Sequence, residues 1–268
     1  MAKKKIFGVW LNEWFNVYKK PYIKSYKNIK SILRLHIPKY LKNTPLDRLD
    51  AFDVQKALNA VKQSRTRLDV YNVYHGALNM AYKLGYTPRN LADLLVKPKH
   101  QRELGKALTN DEVTAFIARI QNDRLKNFYL FCLLTGCRRS EALGVKWSDV
   151  DEENGRIHVR GTKNATSDRY IPVLPDCAAL LKEIPRKGEK VFHHTAKNVT
   201  TTFKKLCPAH KLHDLRHTFA TRCLECGINI KVVQKWLGHS RLETTASIYV
   251  HCREDFQKTE ASKFKLTE

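Results

Sequence analysis

The chain has 268 residues, of which 43% are hydrophobic, and its 49 Lys and Arg against 26 Asp and Glu give a formal net charge of +23. A chain of this length forms one large or two ordinary domains, and its apolar content excludes general disorder. Because no apolar run approaches the roughly 18–20 residues of a membrane span and the Lys-rich start lacks a signal-peptide core, membrane-spanning and exported proteins are excluded as well.

The excess of positive charge indicates a polyanionic partner. Nucleic acid is the leading candidate, because each phosphate that a protein neutralises releases condensed counterions. A basic, solvated surface with no dedicated ligand is the alternative. The seven cysteines form an odd set without framework-like spacing, which is typical of reduced thiols and not of a disulfide scaffold. We therefore expect a cytoplasmic protein.

Residues 1–96 carry apolar side chains at helical intervals, which predicts a small all-helical domain. Residues 1–106 are also the more basic part of the chain, with 22 Lys and Arg against 7 Asp and Glu. Four groups of apolar residues with this spacing follow one another along the chain, and the fourth ends near Gly85. The four groups are Val9, Trp10, Trp14, Phe15, Val17 and Tyr18; Ile29, Ile32, Leu33 and Leu35; Val54, Ala57, Leu58 and Val61; and Val70, Val73, Tyr74, Ala77, Leu78 and Ala81.

A linker is predicted at residues 97–106, which contain charge, Pro and Gly but no apolar periodicity. Directly afterwards, Thr109 and Glu112 have the spacing of a capping box, so a new helix begins there. A second domain is therefore predicted over residues 107–252, followed by a polar C-terminal tail over residues 253–268.

The second domain contains one change of periodicity. Residues 156–160 and 169–173 alternate apolar with polar side chains and flank a polar tip, which predicts an antiparallel hairpin. Elsewhere the patterns are helical, so the predicted fold class is mainly α: a helical domain, then a mixed α/β, mostly helical domain with a small antiparallel sheet. The other signals are helix starts near Asp176, Ala196 and Asp214, stops at Gly227 and Gly238, and a capping-box pattern at Ser240 to Glu243.

Two arginine-bearing segments are candidates for chemistry. Arg138 follows an apolar helix and a Thr-Gly pair, with Glu141 three residues later; on its own this pattern favours an exposed ion pair within one helical turn. His213 and Arg216 are also three apart, so a helix places an imidazole beside a guanidinium on one face.

No metal site is predicted. The spacing of His213 and His217 suits a pair of metal ligands on a helix, but no further ligand completes the set. Cys223 and Cys226 have the spacing of a zinc or redox pair, yet no second pair follows, which favours ordinary helical residues.

His239 and Tyr249 complete the candidates. His239 follows Leu-Gly at a predicted helix end, and Tyr249 lies ten residues later in a Thr-Thr-x-x-x-Tyr context. A tyrosine in an apolar setting is ordinarily a core residue, and a phenol with a pKa of about 10 attacks well only when its proton is removed or its charge is stabilised. Taken alone, neither His239 nor Tyr249 indicates a function; each is informative only together with the other candidate residues.

Taken together in chain order, these residues resemble the tyrosine recombinase family, the phage-integrase type of site-specific recombinase. Residues 6–100 are similar to the family's helical core-binding domain, through Trp-Leu-x-x-Trp and Leu-x-x-Ala-Tyr-Lys-Leu-Gly. The resemblance implies a core-site DNA-binding domain over residues 1–96, a catalytic domain over 107–252, and a subunit-docking role for 253–268. The catalytic positions that match the family are Arg138, Lys163 in Gly-Thr-Lys-Asn, His213, Arg216, His239 and Tyr249.

The same resemblance implies a reaction in which Tyr249 attacks a DNA phosphodiester, leaving a 3′-phosphotyrosyl link and a free 5′-hydroxyl. Arg138 and Arg216 would clamp the non-bridging oxygens, as arginine forks do elsewhere. Lys163, at the predicted hairpin tip, would protonate the leaving oxygen.

The remaining roles follow the family as well. His213 would assist proton movement at the tyrosine hydroxyl, and His239 would donate a hydrogen bond to the scissile phosphate. Glu141 is interpreted as orienting Arg138. No metal ion or cofactor is implied, and the absence of a phosphate-cradling Gly-x-x-x-x-Gly-Lys motif agrees with a reaction that needs no ATP.

The implied function is that of a mobile-element integrase, from a phage or transposon, that integrates and excises DNA. Its implied partners are double-stranded DNA at core recombination sites and further copies of the chain in a homo-tetramer, with an excisionase or a host DNA-bending protein as accessory candidates; its location is the nucleoid of a bacterial cell. Three alternatives stay open: an Xer-like chromosomal or plasmid recombinase, a type IB topoisomerase, and a non-catalytic DNA-binding regulator with the same fold.

Overall fold

The structure, a computed structural model, describes residues 5–23, 26–100, 105–161 and 168–238. The chain divides into two compact units, Met1–Arg102 and Glu103–Glu268. Within the described ranges, no helix combines the length and the apolar character that crossing a membrane requires.

The first unit is helical, as its periodicity predicts. A π-helical turn, Phe15–Lys19, extends the first helix. The one-turn helix α3 was not predicted, because it follows Pro38 and buries a single residue, Leu41, which is too little for a periodic pattern. The α-helices are α1 Phe7–Trp14, α2 Lys27–Leu35, α3 Lys39–Lys42, α4 Ala51–Asn59 and α5 Ser64–Lys83, and the 3-10 turns are Lys20–Tyr22, Leu46–Arg48 and Leu91–Leu94.

The core of the first unit forms where α1 packs against α5. The buried indole of Trp10 donates a hydrogen bond to the carbonyl oxygen of Ala77 at 2.9 Å. A Cβ atom on Gly76 would lie 2.8 Å from the ring of Trp14, so this glycine permits the close approach of the second indole. The hydroxyl of buried Tyr74 donates to the carbonyl of His36 at 2.8 Å and thereby ties the end of α2 to α5.

The second unit combines helices with a small antiparallel sheet of strand order β1-β2-β3. Arg169 of β3 pairs with Val159 of β2, and Ile171 pairs with Ile157. The strands are β1 Val150–Asp151, β2 Arg156–Val159 and β3 Arg169–Pro172, and the helices are α6 Asn110–Ile120, α7 Lys126–Thr135, α8 Arg139–Ala142, α9 Pro175–Glu183, α10 Ala196–Leu206, α11 Asp214–Glu225 and α12 Ile230–Leu237.

The local signals of this unit match the structure closely. The capping box is formed, since Thr109 Oγ1 accepts from the backbone of Glu112 at 3.2 Å and the Glu112 carboxylate accepts from the backbone of Thr109 at 2.8 Å. Gly227 and Gly238, with φ of +79° and +64°, follow the ends of α11 and α12 as predicted. Strand β1 was not predicted, because two residues cannot show an alternating pattern.

Aromatic packing fixes α7 in place. Phe116, Tyr129 and Phe203 are buried with ring centroids 5.4–5.8 Å apart, and the Tyr129 hydroxyl donates to the carbonyl of Val199 at 2.9 Å. Edge-to-face contacts of this kind add to the stabilisation from buried area. The C-terminal end of α7, which leads to Arg138, is therefore held by a rigid core.

Candidate active site

The turn after α7 brings the Thr-Gly segment against α11. Gly136 has φ of +62°, a left-handed conformation that favours glycine. A Cβ atom there would lie 2.5 Å from Cδ1 of Phe219, so the backbone approaches α11 as closely as a residue without a side chain allows. The carbonyl of Gly136 accepts a hydrogen bond from Arg216 at 2.9 Å. The turn thus places Arg138 beside Arg216.

Glu141 holds Arg138 at the start of α8. Its carboxylate accepts from the backbone nitrogen of Arg138 at 2.8 Å and from the Arg138 guanidinium at 2.7 Å. The two side chains form the ion pair that the sequence predicted, but it is not an ordinary surface pair. The Glu141 side chain is 9% exposed, whereas that of Arg138 is 36% exposed. The carboxylate is structural and the guanidinium faces solvent.

A third arginine, predicted only as a strand residue, belongs to this site. Arg169 occupies a core-facing position of β3, on the same face as Ile171, and its side chain is 3% exposed. Its guanidinium donates hydrogen bonds to both carboxylate oxygens of Glu141, at 2.9 and 3.3 Å, and to the carbonyl of Trp236. The signal was present in the sequence, because strand alternation places Arg169 among buried apolar residues, where a charge requires a partner.

Arg216 is buried in the same cluster. Its side chain is 3% exposed, donates to the carbonyl oxygens of Gly136 and Leu237, and lies 3.9 Å from the carboxylate of Glu141. Burial, together with the positive charge of Arg138, lowers the pKa of the Arg216 guanidinium to about 9. Arg216 therefore remains protonated at neutral pH.

The C-terminal end of α12 accepts hydrogen bonds from all three arginines. Arg169 donates to the carbonyl of Trp236, and Arg216 donates to that of Leu237. Arg138 reaches the carbonyl of Gly238 at 3.5 Å, the longest of the three contacts. The last carbonyls of a helix lack partners within the helix and form the negative end of its dipole, so cations stabilise them.

The charge balance of the cluster is positive. Burial by itself would raise the pKa of the Glu141 carboxyl, but the hydrogen bonds and charge of Arg169, with those of Arg138, lower it to about 2. The Glu141 carboxylate is therefore ionised and, among the described residues, faces the guanidiniums of Arg138, Arg169 and Arg216. The excess of positive charge, with Arg138 at the surface, suits an anionic ligand.

His213 lies at the N-terminal cap position of α11, three residues before Arg216. The residue is exposed, yet desolvation of its ring by the surrounding protein lowers the pKa of the imidazole to about 4, and the positive charges of His217, Arg216 and Arg138 act in the same direction. The rings of His213 and His217 are 5.0 Å apart, edge to face. The imidazole is therefore neutral at neutral pH.

The backbone before α6 packs against the other side of His217. A Cβ atom on Gly105 would lie 2.0 Å from Nε2 of His217, so the chain passes directly over the imidazole. The backbone nitrogen of Leu108 donates to Thr218 Oγ1 at 2.9 Å, and Arg222 donates to the Leu108 carbonyl at 3.2 Å. These contacts hold the first turns of α11, which carry His213 and Arg216.

Part of the predicted site is thus assembled, since Arg138 and Arg216 lie at Glu141 and His213 lies on the same turn of α11 as Arg216. Lys163, His239 and Tyr249 lie outside the described residues, as do the predicted Ser240 to Glu243 capping box and the tail over residues 253–268. Among the residues that the structure describes, no three His, Cys, Asp or Glu side chains are placed to bind a metal ion. Cys223 and Cys226 are free thiols, the first buried and the second exposed.

Comparisons with known proteins identify the family. The model of the phage integrase family matches residues 106–255, and that of the phage integrase N-terminal SAM-like domain matches residues 6–61. The tyrosine recombinase XerA of Pyrococcus furiosus is 33% identical over 66% of this chain and 68% of its own length. The tyrosine recombinase XerC-like protein of Caldanaerobacter subterraneus subsp. tengcongensis is 26% identical over 81% of this chain and 72% of its own length.

Solved structures show the same fold. The Tn1549 transposon integrase in complex with circular intermediate DNA has a TM-score of 0.77 at 20% identity, covering 96% of this chain and 99% of that one. A lambda integrase dimer bound to a COC′ core site has a TM-score of 0.78 at 19% identity, covering 92% of this chain and 78% of that one. The chain therefore belongs to the phage integrase family and is a tyrosine-type site-specific recombinase.

Proposed function

We propose that this recombinase cuts and rejoins double-stranded DNA through a 3′-phosphotyrosyl intermediate formed by Tyr249. The observation that carries the proposal is the cluster in which Glu141 holds the exposed guanidinium of Arg138 beside that of Arg216. Two guanidiniums next to one phosphate stabilise the charge that concentrates on its non-bridging oxygens as phosphorus becomes five-coordinate.

In the cleavage step, the hydroxyl oxygen of Tyr249 forms a bond to phosphorus while the bond from phosphorus to the 5′-oxygen breaks. His213 accepts the tyrosine proton, a role supported by its place three residues before Arg216; its pKa of about 4 keeps the imidazole neutral at neutral pH but also makes it a weak base. Lys163 donates a proton to the leaving 5′-oxygen, and His239 donates a hydrogen bond to the phosphate. Rejoining reverses these transfers when a 5′-hydroxyl attacks the phosphotyrosine.

The energy of the phosphodiester is retained in the covalent link, so ligation requires no nucleotide. Arg138 carries the larger share of ligand contact, because its guanidinium is the exposed one of the pair. Arg216 contributes mainly by placing a second positive charge close behind it, since its side chain is only 3% exposed.

Covalent capture of DNA tests the reaction. A pool of nicked duplexes with randomised sequence is incubated with the protein, and covalently attached DNA is isolated and sequenced to define the preferred site. We expect capture by the wild-type protein, none by Tyr249→Phe, and nearly equal DNA binding by both. Capture by Tyr249→Phe would overturn the assignment of the nucleophile, and binding without any capture by the wild-type protein would favour the non-catalytic regulator.

The proposed biological role is integration and excision of a mobile element by a homo-tetramer. The fold shared with the Tn1549 and lambda integrases supports this role, and a solved lambda integrase tetramer bound to a Holliday junction supports the assembly. An Xer-like role is the second candidate, because the relatives named XerA and XerC-like match most of the chain.

Plasmid substrates distinguish these roles. With two identical selected sites on one plasmid, an Xer-like recombinase resolves the plasmid, and it does not join plasmids that carry dissimilar sites. An integrase joins a circular donor that carries one selected site to a target plasmid that carries a different one. Supercoil relaxation by a monomer, without strand exchange, would instead indicate a type IB topoisomerase.

A further inference from the structure

The strand residue Arg169 has an environment that strand formation does not explain. Its side chain is 3% exposed at a core-facing position of β3, where an apolar side chain would cost far less to bury. Two observations account for it. The guanidinium grips both oxygens of the Glu141 carboxylate, and its Nε atom donates to the Trp236 carbonyl at the end of α12.

The same carboxylate also accepts hydrogen bonds from Arg138. Glu141 Oε1 accepts from the Arg138 guanidinium at 2.7 Å, and Oε2 accepts from the Arg138 backbone nitrogen at 2.8 Å. Arg169 therefore touches the carboxylate that orients Arg138, while its own guanidinium is buried and away from solvent. Both arginines therefore bind the Glu141 carboxylate, and Arg138 faces solvent whereas Arg169 faces the protein core.

We propose that Arg169 is a positioning residue for DNA cleavage. It holds the Glu141 carboxylate in place and keeps it charged, and that carboxylate in turn fixes the position of the Arg138 guanidinium. This inference rests on the proposed function, since it assigns to Arg138 the contact with the scissile phosphate. A bidentate arginine-carboxylate pair fixes both distance and plane, which a lysine cannot do.

The charge of Glu141 also depends on Arg169. Within the part of the chain that the structure describes, the titratable and charged groups that face this carboxylate are Arg138 from the start of α8, Arg169 from β3, Arg216 from α11 and the thiol of Cys137. Burial raises the pKa of the Cys137 thiol to about 11, so the thiol is neutral. Burial favours the protonated form of Glu141, and among the opposing interactions those with Arg169 lower its pKa most.

The test compares two versions of the DNA site that covalent selection with the wild-type protein identifies. One carries the natural phosphodiester, and the other carries a methylphosphonate at the scissile position, in which a methyl group replaces one charged oxygen. Arginines that stabilise charge on the phosphate favour the charged substrate. The ratio of the two single-turnover cleavage rates therefore reports the contribution of Arg138. The ratio measured for Arg138→Ala gives the value expected when that contribution is lost.

We expect Arg169→Gln to slow cleavage of the phosphodiester by roughly 100-fold, as a small misplacement of a catalytic group can, with a much smaller effect on the methylphosphonate. DNA affinity should be almost unchanged. Arg169→Lys, which keeps a positive charge beside Glu141, should recover part of the rate and serves as the test if Arg169→Gln does not fold. The matched control is Arg186→Gln, because Arg186 forms an exposed ion pair with Glu152 in the same unit.

A second readout is the pH profile. Without Arg169, Glu141 should take up a proton below neutral pH and release Arg138, so the phosphodiester rate of Arg169→Gln relative to the wild type should fall further as the pH is lowered. A general loss of folded protein would slow both substrates equally and leave the ratio unchanged. An unchanged ratio in folded Arg169→Gln or Arg169→Lys would overturn the inference while leaving the proposed function intact. If the wild-type protein captures no DNA, the proposed function and the inference fall together.

Discussion

Arg216 on α11 donates a hydrogen bond to the carbonyl oxygen of Gly136, 80 residues earlier in the chain, at 2.9 Å. Gly136 has φ of +62°, and its Cα lies so close to Phe219 that no side chain fits. The turn that leads to Arg138 and the helix that carries Arg216 therefore set each other's position. This relationship makes the backbone at Gly136 part of the site.

Gly136→Ala tests that relationship, with Gly155→Ala as the matched control. Gly155 has φ of +57° but open space around its Cα, so its substitution should cost about 1–2 kcal/mol of unfolding free energy from backbone conformation alone. Gly136→Ala should cost clearly more, because its Cβ would lie 2.5 Å from Phe219, and it should also slow covalent capture of DNA. Chemical denaturation measures the first effect; equal losses for the two variants would contradict the close approach.

Glu141→Gln should reveal the stabilisation that the buried carboxylate provides. The folded-state pKa of about 2 is below the ordinary value of 4.5, so the carboxylate's contribution is complete above about pH 4.5 and is lost as the pH falls toward 2. At neutral pH we expect Glu141→Gln to lower the unfolding free energy by roughly 3 kcal/mol, because it leaves buried guanidiniums without their counter-charge.

The difference between wild type and Glu141→Gln should shrink on acidification, since the protonated wild-type side chain then carries no charge either. Unfolding curves at neutral pH and near pH 3 provide the measurement. Glu189→Gln is the control, because Glu189 forms an exposed ion pair with Lys146 and its loss should matter little at either pH. A difference that stays constant over this range would show that Glu141 does not titrate as described.

His213 should titrate well below ordinary histidines. Its pKa of about 4 in the folded protein is below the usual 6.5, so between these values the unfolded chain binds a proton that the folded chain does not. The unfolding free energy should therefore fall as the pH is lowered through this range, and His213→Gln should reduce that fall. Imidazole resonances followed by NMR against pH measure the value directly; a midpoint for His213 near 6.5 would refute it.

Gly76→Ala should destabilise the first unit, although this exchange ordinarily stabilises a helix by about 1 kcal/mol. The added methyl group would lie 2.8 Å from the ring of Trp14 and would push α1 away from α5. Asn72→Ala, at an exposed position of the same helix, is the control and should be neutral or slightly stabilising. Thermal unfolding followed by tryptophan fluorescence tests both variants, and a stabilising Gly76→Ala would contradict this packing.

The helices and the hairpin could be predicted because their signals are local. Helix starts expected near Asp176, Ala196 and Asp214 lie within one residue of the observed starts of α9, α10 and α11. Elements as short as α3 and β1 could not be predicted, since periodicity needs more than one turn or one pair of residues. The family resemblance named Arg138, His213 and Arg216. The structure places Arg138 and Arg216 at Glu141, with His213 three residues before Arg216.

Sequence alone determined the two-part organisation and the family, because apolar periodicity and family motifs lie within short stretches of chain. Tertiary structure decided which arginine faces solvent and which is buried. Glu141 meets Arg169 across 28 residues of chain, and Arg169 meets Trp236 across 67. No local pattern encodes such pairs; they follow from packing β3, α8, α11 and α12 around one carboxylate, whose burial requires positive partners from whichever segments the fold brings there.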